Sequence, residues 1–122
     1  MGLDMYAYKT KRKLKSPVDF VQSESDKEIM YWRKHPNMHG WMESLYFEKG
    51  GEEETFNCVP VELNEEDLEK LKKAIKENSL PVTEGFFFGE TDGSEKVDDL
   101  KFIKEAEEAI KNGYSVYYSS WW

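Results

Sequence analysis

A single cysteine, Cys58, stands in a chain of 122 residues. With no second thiol, an intramolecular disulfide and a cysteine-built zinc site are both excluded, which fits a reducing compartment. No apolar run approaches the roughly 18 to 20 residues that cross a bilayer, and the opening MGLDMYAY lacks the charged-then-apolar order of a signal peptide. A soluble, cytoplasmic protein without membrane association is expected. Positive charge is also scarce: 17 Lys and Arg against 25 Asp and Glu leave a net charge of −8, which argues against general nucleic-acid binding. Neither an internal repeat nor a low-complexity linker interrupts the chain, so residues 1–122 read as one domain.

What the chain holds in quantity is aromatic surface: 7 Phe, 7 Tyr and 4 Trp, enough to build a core although 34% of residues are charged. The alternation of Met5 and Ala7 with Tyr6 and Tyr8 predicts a first strand over Asp4 to Lys9, followed by a basic loop, Lys11 to Lys15. Between Asp26 and Lys49 the apolar residues recur every three or four positions. Pro36 divides that pattern, predicting a short helix to about Lys34 and a second from Pro36 to the stop at Gly50-Gly51. Phe56 to Leu63 reads as a half-buried strand that Pro60 confines to an edge or a bulge. Asn64 caps a helix striped by Leu68, Leu71, Ala74 and Ile75. Gly85 to Gly89 reads as a buried strand, Leu100 to Ile110 as a helix stopped at Asn112-Gly113, and Tyr114 to Trp122 as a final aromatic strand. The fold class is therefore α+β, with about four strands in one sheet covered by three to four helices.

The densest polar-aromatic segment is Tyr31-Trp32-Arg33-Lys34-His35-Pro36-Asn37-Met38-His39-Gly40-Trp41. Arg33 and Lys34 supply charge, Trp32 and Trp41 flat surface, and His35, Asn37 and His39 directional hydrogen bonds, a mixture suited to a carboxylate, a phosphate or an acidic protein loop. Both histidines lie here, four positions apart, but Pro36 breaks the helix that would align them as metal ligands; the bland reading has one hydrogen-bonded at a helix junction and the other exposed. Glu43, Asn57, Phe87, Tyr118 and Trp122 complete the candidate binding set, and at least one of the two terminal tryptophans is expected to be buried. The group Glu90, Asp92, Ser94, Asp98, Asp99 could offer oxygens to a divalent cation, but it matches no calcium-loop spacing and reads as helix capping. Cys58 reads as an inert thiol packed in a half-buried strand, and no catalytic residue, metal or cofactor is implied.

Taken together, the segments Asp4 to Tyr8, Tyr31 to Glu43, Phe56 to Val59, Gly85 to Glu90 and Tyr117 to Trp122 resemble a family of small bacteriophage and bacterial proteins whose function is not established. The resemblance runs nearly end to end. Some relatives carry the label phosphoglycerate kinase, which a domain of this size does not fit: it lacks the two substrate-binding halves and any glycine-lysine phosphate loop. The resemblance implies a phage or bacterial cytoplasmic setting and a role in modulating the host.

The leading expectation is a non-enzymatic binding module that engages a host or phage protein, or a small anionic ligand, through Trp32 to Trp41. Two alternatives stand beside it. One is a small enzyme with His35 or His39 as general acid-base, Arg33 holding an anion and Glu43 or Asp99 orienting the imidazole. The other is a structural component that forms homo-oligomers through its surplus aromatics. Convergence of Arg33, His35, His39, Asn57 and Trp122 on one pocket would separate a ligand site from a structural role.

Overall fold

The computed structural model describes residues 3–33, 35–81 and 96–122. Its first strand, β1 (Asp4–Thr10), follows the alternation of the sequence: Met5 and Ala7 are fully buried, while Tyr6 and Tyr8 turn to the opposite face. The expected short helix before Lys34 is instead a strand, β2 (Lys27–Arg33), paired antiparallel with β1. A register shift opposite Ala7 and Tyr8 explains the misreading. It leaves Ile29 as an extra residue, so Trp32, Met30 and Lys27 share one face and Arg33, Tyr31 and Glu28 the other, a spacing that imitates a helical period. The residue before a proline also resists helical geometry, which favours extended chain up to Pro36.

Helix α1 (Pro36–Glu48) begins with the proline at its first position and is stopped where Gly50 takes φ +93°. The next strand is shorter than expected. Only Val61–Leu63 form strand β3: Pro60 has no amide hydrogen, and Cys58, at φ +63°, still donates its amide to the Ser120 carbonyl of the last strand at 2.8 Å but lies outside the ladder. Val18 bridges Val61, and the Glu62 amide donates to the Pro17 carbonyl at 2.8 Å, so the preceding loop shields this edge. Helix α2 (Glu65–Lys76) opens on a reciprocal cap: the Asp67 amide donates to Asn64 Oδ1 and the Asn64 amide to Asp67 Oδ2. Helix α3 (Lys96–Lys111) ends before Gly113, at φ +89°, and β4 (Ser115–Trp121) closes the fold. The strand expected at Gly85 to Gly89 lies outside the described residues.

Among the described residues, four strands form one antiparallel sheet in the order β2-β1-β4-β3, and with the three helices the architecture is α+β. The chain's first and last strands are thus central neighbours. One sheet face, with Trp32, Met5, Ala7, Tyr118, Val116, Val61 and Leu63, joins Met38, Met42, Tyr46, Leu68, Leu71, Phe102 and Ile103 of the helices in the core. No helix among the described residues is long and apolar enough to cross a membrane.

Candidate functional site

The Trp32 to Trp41 segment is divided by the fold. Trp32 lies on the inner face of β2, 4% exposed, and its indole Nε1 donates to Asp99 Oδ1 at 2.9 Å. His35 sits at the α1 N-cap position without capping the helix through its side chain; its Nε2 lies 2.8 Å from Asp99 Oδ2. Asp99 therefore does more than favour a helix start, since it ties β2, the start of α1 and α3 together. An imidazole–carboxylate pair is present, yet both side chains are sealed, at 2% and 3% exposure.

His39, one turn into α1, is equally buried, so the expectation of one exposed histidine is corrected: neither ring reaches solvent. Its Nδ1 lies 2.7 Å from the Tyr118 hydroxyl, and the ring packs 5.0 Å from Phe56 and 6.4 Å from Trp122. Burial pulls its pKa down to about 4, keeping the imidazole neutral at physiological pH. The same burial pushes the Tyr118 phenol up. Asn57 grips Trp122 from both sides: its Nδ2 donates to the Trp122 carbonyl at 2.8 Å and its Oδ1 accepts the Trp122 amide at 3.0 Å. The Trp122 indole donates to the Phe56 carbonyl, so one terminal tryptophan docks while Trp121 stays 64% exposed.

Of the expected site residues, His39, Asn57, Tyr118 and Trp122 gather around Phe56, and Trp32 and His35 gather on Asp99. Asn37, Trp41 and Glu43 are half-buried along α1. Arg33 is exposed and lies on the opposite sheet face, in register with Asp4. Lys34, Phe87, Glu90, Asp92 and Ser94 lie outside the described residues. Cys58 is exposed and sits in a left-handed turn, so the packed thiol expected in a strand is corrected as well. Among the described residues no three His, Cys, Asp or Glu side chains are grouped to hold a metal ion.

A different surface emerges on the opposite face of the sheet, which no helix among the described residues covers. Cross-strand pairing sets Tyr31 beside Tyr6, and Tyr8 beside Tyr117. Ring centroids are 5.2 Å apart in each of these pairs, and Tyr6 stacks on Tyr8 at 5.9 Å. Phe20, from the loop after β1, lies edge-on against Tyr117 and covers it, whereas Tyr31 is 43% exposed. The Tyr31 hydroxyl donates to Asp4 at 2.7 Å. The loop is fastened by Arg12, whose Nε donates to Asp26 Oδ1 at 3.1 Å and whose Nη2 donates to Asp26 Oδ2; Tyr117 donates to the same carboxylate. A groove of about 390 Å³ remains between loop and sheet, lined by Tyr8, Gln22, Ser23, Glu24, Asp26 and Tyr117.

The sequence carries one signal for this surface, the tyrosines that alternate with Met5 and Ala7. Comparisons with known protein families, with curated proteins and with solved structures returned no match.

Proposed function

We propose that this chain is a non-enzymatic binding module that docks another protein on the tyrosine face of its sheet. The setting is the cytoplasm of a bacterial or phage-infected cell, as the resemblance to small phage and bacterial proteins implies. The observation that carries the reading is the aromatic layer on a sheet whose other face is packed: Tyr31 and Trp121 are exposed, and Tyr6 and Tyr8 are half-buried beside them. Large, stiff, amphipathic rings supply contact area at small entropic cost and are enriched at the centres of protein interfaces.

The groups with acid–base chemistry give less support to an enzyme. His35 and Asp99 meet, but behind protein on every described side, and a neutral, buried His39 has its ring packed among aromatics. A small anionic ligand is disfavoured because Arg33 stands in register with Asp4, and Glu28 lies two residues from Asp26 at the same face. Like-charged copies of the face would also repel each other, which weighs against a homo-oligomer built on it.

Photo-crosslinking in extract of the natural host tests the proposal. A crosslinking residue in place of Tyr31 or Trp121 should capture one discrete protein that Tyr6→Ala abolishes, and one in place of Glu69 on α2 should not. Equal capture from position 69, or capture unaffected by Tyr6→Ala in a folded protein, overturns the assignment of this face.

A further inference from the structure

We infer that the occupant of the tyrosine face is a cationic polypeptide segment, with an arginine or lysine side chain seated in the groove beside Tyr8 and Tyr117. This inference rests on the docking reading and adds the chemistry of the partner. The groove's accessible aromatic wall is the half-buried Tyr8 ring, backed at 5.2 Å by the buried Tyr117, and its rim includes Glu24. Glu28 stands directly across from Tyr8 in the register of β1 and β2, so a second carboxylate borders the same ring. Asp26, at the groove's floor, is already neutralised by the Arg12 guanidinium, which leaves Glu24 and Glu28 as the charges that meet an incoming group.

The wider face follows the same sign. Among the described residues, Asp4, Glu24 and Glu28 stand against Arg33, while Arg12 is occupied by Asp26, within a chain of net charge −8. The tyrosines register that field: burial and then the Asp4 and Glu28 carboxylates push the Tyr6 phenol up, and burial and then Glu28 do so for Tyr8. Aromatic ring faces attract guanidinium and ammonium ions through their quadrupole, and flanking carboxylates add Coulomb attraction and a hydrogen-bonded end point. A groove of about 390 Å³ has room for one long cationic side chain and part of its backbone. Nucleic acid and acidic peptide carry the wrong sign for this surface. The neighbouring groove lined by Lys13, Lys15, Phe20 and Val21 is where an acidic chain would go instead.

The test is a titration of the intact protein, followed by nuclear magnetic resonance, with three probes: an alternating glycine–arginine octapeptide, the matching glycine–glutamate octapeptide, and an oligothymidylate. The arginine peptide should move the signals of Tyr6, Tyr8 and Tyr31. A Glu24→Gln/Glu28→Gln double variant, both sites being exposed and remote from the core, should weaken its binding about fivefold, as expected for two surface charges. A Glu69→Gln/Glu107→Gln variant, which alters the acidic groove between α2 and α3, should leave it unchanged. The inference is overturned if the Glu69 and Glu107 pair, and not Glu24 and Glu28, controls binding. It is equally overturned if the glutamate peptide or the oligothymidylate moves the tyrosine signals and the arginine peptide does not. That last outcome would retain the face as a docking surface and reject only the sign of its partner, whereas crosslinking at position 31 judges the docking reading separately.

Discussion

His39 is an imidazole whose charge the fold refuses. Its ordinary pKa near 6.5 falls to about 4 because the ring is packed among Phe56, Tyr118 and Trp122. A base with a depressed folded-state pKa stabilises the fold fully above about pH 6.5, and that contribution is lost as pH falls towards 4, where the unfolded chain binds the extra proton. Between pH 7 and pH 5 the loss from this group should be about 2 kcal/mol. Urea titrations at the two pH values should show it, and His39→Gln, which cannot titrate, should flatten the difference by that amount; an unchanged pH slope would refute the assignment. The sequence made the two histidines conspicuous by their spacing, but not their burial, since that depends on Tyr118 and Asp99, which lie 79 and 64 residues away from the rings they meet. The tyrosine face escaped notice for a related reason. Alternation tells that Tyr6 and Met5 point oppositely, and only the placement of the helices decides which side stays open.

At the scale of elements, the loop between β1 and β2 is held by a paired charge rather than by apolar packing alone. Burial works against ionisation of Asp26, but hydrogen bonds from Arg12, Tyr117 and Thr10 outweigh it and hold the carboxyl well below the usual range. Its stabilisation is therefore present at neutral pH and disappears as pH drops below about 4. Asp26→Ala leaves the Tyr117 hydroxyl and the Arg12 guanidinium without their acceptor, and should cost about 2 kcal/mol at pH 7. A lower denaturation midpoint with increased amide exchange in residues 11–26 is the expected readout; protection as in the parent would sink the pin. Elements whose signals are local were legible: the proline start of α1, the Asn64 cap of α2, the glycine stop of α3, and the alternation of β1. Those set by long-range pairing were not. β2 was hidden by its bulge, and β3 shrank because Pro60 and the left-handed Cys58 withdraw the preceding residues from the ladder.

Over the whole molecule, the sheet is assembled from the outside of the sequence inward. β4 is hydrogen-bonded to β1 on one side and β3 on the other, and it brings Val116, Tyr117 and Tyr118 into burial. A chain cut before Ser115 keeps the β1–β2 pair and α1, α2 and α3 but loses the strand that unites them, so it should show collapsed amide dispersion and no cooperative melting transition. Retention of a sharp transition by that truncated chain would show that the helices carry the fold. The central pairing of first and last strands has a practical geometry as well. Asp4 lies in register with Trp121, so the two ends of the described chain leave the sheet roughly 5 Å apart and on one side. Spectroscopic labels placed at positions 4 and 121 would therefore sit side by side at one margin of the tyrosine face and report on its occupancy together.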